Sequence, residues 1–235
     1  MKGKPENLLY FIVPGFIGNY QEGFVKNLNE FLLGKGLVTW PVSFRGHNPE
    51  EKELSGLDEM VEKIKAEDFL AKKTHPKKLP VVLAHSQGVA VFLRAAIGLK
   101  EDFRAVFFAP AIFLDRIILP RVSSEEISSI EKGAKIYCQI SQTKRRFLDK
   151  KWLDSYRNFN LMVAELGLPG KFLIVRPQED WLEKENTLFL MDYLPGCDYC
   201  EMEGDHAFEP RRAFEKLGEK FFSDKKFRNF FKQEP

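Results

Sequence analysis

A serine between small residues follows an apolar run in the first half of the chain. The segment Ala84-His85-Ser86-Gln87-Gly88 comes after Leu79 to Leu83 and before a helix-like run from Val89 to Leu99. A sharp turn from strand to helix projects a serine side chain from a strained backbone and requires small neighbours. The N–H of Gln87 would lie in the first helical turn, where a negatively charged oxygen is stabilised. The pattern predicts a nucleophile beside an oxyanion site; the alternative is that Ser86 only caps the helix.

Histidine is the usual base for a serine nucleophile, and the chain has four histidines. His75 lies in a polar, lysine-rich loop, and His85 directly precedes Ser86 on the strand, so its side chain should point away from the serine. His47 ends a different strand and is better placed to hold a loop. His206 follows the last predicted strand on a glycine-bearing loop at the same sheet edge as Ser86. We therefore expect His206 to be the base; the alternative is a helix N-terminal histidine without a catalytic partner.

A carboxylate holds the imidazole of such a base in the correct tautomer and stabilises its protonated form. Asp180 has a suitable position, because it follows the predicted strand Phe172 to Val175 at the carboxyl edge of the sheet. Glu179 is the nearest competitor, and Asp180 could alternatively cap a helix that begins near Leu182. The chain order of serine, aspartate and histidine favours Asp180 as the third member of a triad.

The elements that must position these residues are visible in the hydrophobic pattern. Short apolar runs alternate with amphipathic helical segments, which is typical of βαβ units in a parallel sheet covered on both faces. The predicted strands are Leu8 to Val13, Leu37 to Phe44, Leu79 to Leu83, Ala105 to Phe108, Phe172 to Val175 and Tyr199 to Met202. The predicted helices are Tyr20 to Leu33, Leu57 to Ala71 and Val89 to Leu99. Sites in such sheets form at the carboxyl ends of strands, where Ser86 lies.

The connection between Pro110 and Lys171 is longer than one crossover helix needs, which predicts an insertion over approximately residues 112–168. Apolar residues recur within it at helical spacing and give an aromatic helix face, namely Leu148, Trp152, Tyr156, Phe159 and Val163. This face either packs the insertion onto the core or roofs a pocket. By position, the candidate pocket walls are Trp152, Tyr156 and Trp181, together with Phe16.

The composition fits one globular domain over residues 1–235, with 44% apolar and 30% charged residues. The chain has 36 basic and 34 acidic side chains, so no overall field favours nucleic acid. The apolar run Leu8 to Val13 is too short for a signal or a membrane span, which predicts a cytoplasmic protein. Cys197 and Cys200 should point to opposite faces of a strand, and no further ligand completes a metal site. We therefore expect ordinary thiols and no metal.

Taken together, these motifs resemble the α/β-hydrolase superfamily over nearly the whole chain. The matching features are the turns Pro14-Gly15-Phe16-Ile17-Gly18 and Phe44-Arg45-Gly46-His47, the Ser86 turn, Ala109-Pro110 before the insertion, Asp180, and Gly204-Asp205-His206. The superfamily has the same chain order of nucleophile, acid and histidine. Ala84 stands where the superfamily usually has glycine. Alanine adds one methyl group to glycine, which is the smallest addition that the turn could accommodate.

The resemblance implies an α/β-hydrolase fold, with a mostly parallel sheet of about six strands that begins at the family's third strand. Helices would flank this sheet, and a helical cap would be inserted after the strand ending near Phe108. The resemblance also implies that the backbone N–H of Phe16 is a second oxyanion donor beside that of Gln87. The expected activity is that of a serine hydrolase of the carboxylesterase type, cleaving an ester or thioester through an acyl-enzyme without a cofactor. Thioesterases, acyltransferases, carbon–carbon hydrolases and lyases use the same triad, and a non-catalytic binding protein can share the fold.

Two charged segments leave the question of a partner open. A basic cluster at the start of the predicted aromatic helix consists of Lys144, Arg145, Arg146, Lys150 and Lys151. It is either a solvated face or a docking site for an anionic acyl carrier. Near the C-terminus, phenylalanines alternate with basic residues from Phe221 to Lys232. This segment either continues a helix packed through Phe214, Leu217 and Phe221 or contacts a membrane or partner.

Overall fold

Six parallel strands form the central sheet of the computed structural model, which describes residues 7–18, 21–99, 103–141, 144–159, 161, 168–194, 196–208 and 215–220. The strands of the chain are β1 (Leu8–Val13), β2 (Val38–Pro41), β3 (Leu79–His85), β4 (Phe103–Phe108), β5 (Ile136–Gln139), β6 (Arg145–Leu148), β7 (Gly170–Glu179) and β8 (Asp198–Asp205). The sheet order is β2-β1-β3-β4-β7-β8, and β5 and β6 form a separate antiparallel hairpin. The predicted parallel sheet of about six strands is confirmed.

Helices cover both faces of this sheet. They are α1 (Gly23–Gly34), α2 (Leu57–Thr74), α3 (Gln87–Leu99), α4 (Leu114–Ile118), α5 (Ser124–Glu131), α6 (Lys150–Arg157) and α7 (Glu185–Tyr193), and residues 215–220 are also helical. A 3₁₀ turn, Leu119–Arg121, follows α4. Among the helices that the structure describes, none is both long and apolar enough to cross a membrane.

Strand β1 shows why the apolar runs are continuous rather than alternating. All six of its residues are buried, because alternate side chains enter two different hydrophobic clusters. Leu8, Tyr10 and Ile12 pack with α1 on one face of the sheet. Leu9, Phe11 and Val13 pack on the other face with α2, α3 and the segment between β4 and β7. Because both of its faces are buried, β1 is firmly packed inside the sheet, and a site can be built at its carboxyl end.

The segment between β4 and β7 contains α4, α5, the β5–β6 hairpin and α6. Helices were expected here, but the hairpin was not. Its strands are only four residues long, and β6 begins with two arginines, so neither strand has the longer apolar run by which the central strands are recognised. The predicted aromatic helix begins at Lys150 because the Asp149 side chain caps it, accepting a 2.8 Å hydrogen bond from the N–H of Trp152. Val163 lies outside the described residues, as do Phe214 and the C-terminal residues from Phe221 onward.

Candidate functional site

Ser86 occupies the turn between β3 and α3 in a backbone conformation that residues other than glycine rarely adopt. Its φ is +51°, in the left-handed region. Three backbone hydrogen bonds hold it there: its N–H donates to the carbonyl of Phe108 at 2.9 Å, and its carbonyl accepts from Val89 and Ala111 at 3.1 and 3.2 Å. The surrounding strands therefore maintain a strained turn that presents the serine side chain at the edge of the sheet.

Two glycines allow the loop after β1 to approach this turn. A Cβ atom at Gly88 would lie 2.4 Å from the carbonyl oxygen of Pro14, and one at Gly15 would lie 2.9 Å from the Cβ atom of Ser86. Neither distance is possible for a real side chain, so both positions require glycine. The close approach brings Phe16, the residue after Gly15, to the side of the serine turn.

The three residues singled out from the sequence form a continuous chain of hydrogen bonds. Ser86 Oγ lies 2.8 Å from Nε2 of His206, and His206 Nδ1 lies 2.8 Å from Oδ1 of Asp180. A carboxylate can only accept, so we assign the ring proton to Nδ1 and leave Nε2 free to accept the serine hydroxyl proton. This is the geometry in which an imidazole removes a proton from a serine.

Asp180 is held from two further directions. Its side chain is only 1% exposed, and Oδ1 also accepts a 3.0 Å hydrogen bond from the N–H of Leu182. The buried guanidinium of Arg176 donates to the carbonyl of Leu182 at 2.8 Å and approaches Asp180 Oδ2 to 3.7 Å. Glu179, the competing carboxylate, is exposed at the end of β7. The acid that meets the histidine is therefore Asp180, the residue just after β7.

His85 contributes to the site in a way that the sequence did not indicate. Its Nε2 lies 2.9 Å from the backbone carbonyl of His206, and its ring stacks on Phe24 at 4.5 Å. Burial, reinforced by the nearby His206, lowers the pKa of His85 to about 3, so the ring is neutral and donates through Nε2–H. The side chain does not bond to Ser86 but instead supports the loop that carries His206.

His47 fixes the loop after β1. It is fully buried, its Nδ1 lies 2.9 Å from the carbonyl oxygen of Gly18, and its ring packs edge-on against Phe44. Burial lowers the pKa of His47 to about 4. The expectation that this histidine holds a loop is confirmed, because its hydrogen bond joins the loop after β2 to the loop after β1 beside Ser86.

A buried polar network lies beneath the proposed oxyanion position. The hydroxyl of Tyr156 donates to Gln87 Oε1 at 2.9 Å, and Gln87 Nε2 donates to the sulfur of Met60 at 3.2 Å. Tyr156 also meets the ring of Phe16 edge-on, with 6.4 Å between ring centres. The side chains of both residues with proposed oxyanion N–H donors thus contact Tyr156. The donor roles of Phe16 and Gln87 themselves stay predictions.

A cavity of about 460 Å³ opens in front of Ser86 and His206. Its walls come from the loop after β1, the start of α1, α4 with its 3₁₀ turn, and Trp181, which is 57% exposed. Trp152 and Tyr156, expected as pocket walls, are instead buried in the core at 1% and 0% exposure. Their rings lie 4.6 Å apart among the buried residues of the core, where the Tyr156 hydroxyl bonds to the Gln87 side chain at the start of α3.

The basic cluster does not form one surface, because its members have separate partners. Buried Arg146 donates to the carbonyls of Gly46 and Asn48 at 2.6 and 3.0 Å, whereas Lys150 pairs with Asp154 on its own helix. The remaining members differ again: Lys144 lines the cavity, Arg145 stacks on Tyr137, and Lys151 is exposed on α6. Successive side chains of β6 point to opposite sides of the strand, so Arg145 and Arg146 do not share a surface. The arrangement therefore gives no support to docking of an anionic carrier.

Neither cysteine of the pair lines the cavity in front of Ser86. Cys197 packs against one hydrophobic cluster and Cys200 against the other, on opposite faces of the sheet. Burial raises the pKa of Cys197 to about 12, which disfavours a thiolate. Within the described ranges, no group of three or more histidine, cysteine or acidic residues is arranged to hold a metal ion.

Comparison with known proteins identifies the fold. No protein-family model and no curated protein matches the sequence. Among solved structures, Est1E from Butyrivibrio proteoclasticus, crystallised with ferulic acid, is similar with a TM-score of 0.67 at 17% identity, over 94% of this chain and 92% of its own. Alpha/beta hydrolase domain-containing protein 10 from mouse gives 0.64 at 15% identity, over 93% and 89%. An alpha-beta serine hydrolase homologue from Coxiella burnetii gives 0.60 at 16% identity, over 97% and 86%.

Proposed function

Since the chain has the α/β-hydrolase fold, we propose that it is a serine hydrolase that cleaves a carboxylic ester through an acyl-enzyme. The observation that carries the proposal is the pair of 2.8 Å hydrogen bonds that join Ser86 to His206 and His206 to Asp180. A serine that only capped α3 would need neither a histidine acceptor nor a buried carboxylate behind it.

The chemistry follows from the positions of these groups. His206 Nε2 removes the proton from Ser86 Oγ as the oxygen attacks the ester carbonyl carbon. The carbonyl oxygen becomes negatively charged, and the N–H groups of Gln87 and Phe16 stabilise it. Protonated His206 then donates its proton to the departing alcohol as the carbon–oxygen bond breaks. Water repeats the two steps on the acyl-enzyme and releases the acid.

Asp180 makes this proton transfer possible at low cost. Its carboxylate accepts the Nδ1 proton of His206, which keeps the ring in the tautomer that leaves Nε2 unprotonated. Its charge also stabilises the imidazolium that forms during attack. The bond from Leu182 N–H and the nearby Arg176 hold the carboxylate in place, so the imidazole needs little reorganisation.

The decisive experiment compares the wild type with Ser86→Ala on 4-nitrophenyl esters of graded acyl length and on matched acyl thioesters. We expect Ser86→Ala to lose at least about a thousandfold in kcat, the scale for removing a triad member. Ser129→Ala is the matched control, because the Ser129 hydroxyl donates its hydrogen bond to a carbonyl of its own helix α5. Wild-type rates in Ser86→Ala would refute the proposal.

Covalent labelling separates an enzyme from a binding protein with the same fold. A fluorophosphonate reacts with an activated serine, so we expect it to modify Ser86 in the wild type and in Ser129→Ala. No label should appear in Ser86→Ala. An unlabelled wild type would favour the non-catalytic alternative, and faster thioester than ester turnover would place the protein among thioesterases.

A further inference from the structure

Arg121 is a cation at the opening of the cavity. It ends the 3₁₀ turn after α4 and lines the cavity in front of Ser86. Its Nε donates a 3.4 Å hydrogen bond to the carbonyl of Ile117. In the part of the chain that the structure describes, no aspartate or glutamate forms an ion pair with it. The terminal guanidinium nitrogens are thus available to a ligand.

Two aromatic rings hold this guanidinium beside the reacting groups. Its central carbon lies 5.4 Å from the ring centre of Trp181 and 5.9 Å from that of Phe16. The Trp181 ring in turn lies 5.0 Å from the imidazole of His206. The Trp181 ring therefore lies between Arg121 and the proposed base His206, and the other ring belongs to Phe16, whose N–H is a proposed oxyanion donor. Such stacking orients the guanidinium plane before a ligand arrives.

The other charges of the cavity are already balanced. Lys144 pairs with Glu22, which also lines the cavity, and donates a 3.2 Å hydrogen bond to the carbonyl of Ile17. Among the described residues, Arg121 consequently supplies the positive charge at the opening that no ion pair balances. A neutral ester would gain nothing from it, whereas a carboxylate can accept two parallel hydrogen bonds from the guanidinium.

We propose that the cavity selects esters that carry a carboxylate, which Arg121 binds while Ser86 attacks the ester carbonyl. This inference rests on the proposed function and names its substrate class. The carboxylate is a recognition group only: the Ser86 Oγ–carbon bond forms, the ester carbon–oxygen bond breaks, and the alcohol leaves with the proton from His206. Binding at Arg121 would set the substrate in the attack geometry, so the effect should appear in kcat/KM.

The test uses two matched substrate pairs, each with a carboxylate and a neutral amide of the same shape. Mono-4-nitrophenyl adipate and its primary amide place the group on the acyl side. The butyrate esters of 4-hydroxybenzoic acid and of 4-hydroxybenzamide place it on the alcohol side. We expect the wild type to prefer the carboxylate member of one pair by about tenfold or more in kcat/KM, which is about 1.4 kcal/mol. The pair that shows the preference identifies the side of the ester that Arg121 faces.

The variants test whether Arg121 causes the preference. Arg121→Gln should reduce the carboxylate-to-amide ratio about tenfold, and Arg121→Lys should restore part of it, because lysine keeps the charge but not the planar fork. Arg116→Gln is the matched control: Arg116 belongs to the preceding helix, stacks on Phe113 and does not line this cavity. Its ratio should equal that of the wild type.

Salt dependence of the wild type provides a measurement that needs no variant. The kcat/KM of the carboxylate member should fall as sodium chloride is raised, and that of the amide should change little. The inference is overturned if neither pair shows a carboxylate preference or if Arg121→Gln lowers both members equally, even where Ser86-dependent hydrolysis persists. Full hydrolysis of both members by Ser86→Ala would instead refute the proposed function itself.

Discussion

The hydrogen bond between Tyr156 and Gln87 offers a direct test of how the core supports the oxyanion site. Tyr156→Phe removes one hydroxyl and leaves the shape of the ring intact. Both side chains are buried, at 0% and 1% exposure, so Gln87 Oε1 would lose its 2.9 Å donor without gaining water. A lost buried hydrogen bond with one partner left unsatisfied costs about 1–3 kcal/mol. We expect the free energy of unfolding to fall by that amount.

The same substitution should also slow the reaction. The Gln87 side chain is held between Tyr156 and Met60, and its backbone N–H is a proposed donor to the oxyanion. Loosening one end of the side chain shifts a donor that must be aligned when charge develops in the transition state. Because the bound ester does not yet carry this negative charge, kcat should fall about three- to tenfold while KM changes little.

Urea unfolding and saturation kinetics on a 4-nitrophenyl ester measure the two effects. Tyr137→Phe is the matched control, since Tyr137 is 40% exposed on the β5–β6 hairpin and should change neither quantity. An unfolding free energy within about 0.5 kcal/mol of the wild type would refute the role of the bond in stability. Lost stability with unchanged kcat would show that the bond supports the fold without positioning Gln87.

Two further predictions concern backbone fit and pH. Gly88→Ala should destabilise the fold by about 1–3 kcal/mol or more, because the new Cβ would lie 2.4 Å from the Pro14 carbonyl oxygen. Gly34→Ala is the control and should not destabilise the fold, because no atom lies within 4 Å of the Cβ position there. Equal urea midpoints for the two variants would contradict this prediction. His47 should make the fold less stable in acid. Its folded pKa of about 4 lies below the unfolded value of about 6.5, so the unfolded chain binds the proton first as pH falls from about 6.5 toward 4. This difference lowers the free energy of unfolding by about 2 kcal/mol between pH 7 and pH 5. In His47→Gln that part of the decrease should disappear. If the unfolding free energy of the variant falls with pH as steeply as that of the wild type, the assignment to His47 is refuted.

Much of the fold could be predicted from local patterns. Strand β1 has the predicted bounds, and the strand before Ser86 was expected at the right place, because a strand buried on both faces shows as a continuous apolar run. The β5–β6 hairpin could not be predicted in this way. Its two strands pair with each other, and a bridge between Glu53 and Phe147 joins it to a distant part of the chain; neither contact leaves a periodic signal in the sequence.

For the candidate site, the residue types and the edge of the sheet at which they lie could be predicted from the sequence. Ser86, Asp180 and His206 each follow a strand, and parallel strands place their carboxyl ends together. The pocket walls were less predictable, because an aromatic stripe has the same spacing whether it lines a cavity or fills the core. Trp152 and Tyr156 fill the core, whereas Trp181 faces the cavity.

The residues that could perform acyl transfer, and the order of the elements that carry them, can be read from the amino-acid sequence because periodicity and turn chemistry are local properties. The groups that support that chemistry depend instead on how the chain packs in three dimensions. His85 reaches the backbone of His206 across 121 residues, and Tyr156 reaches Gln87 across 69. Likewise, no acidic residue in the described ranges forms an ion pair with Arg121, which depends on what lies around it in the fold. Contacts between distant segments depend on the packed geometry of the whole sheet, which no local pattern encodes.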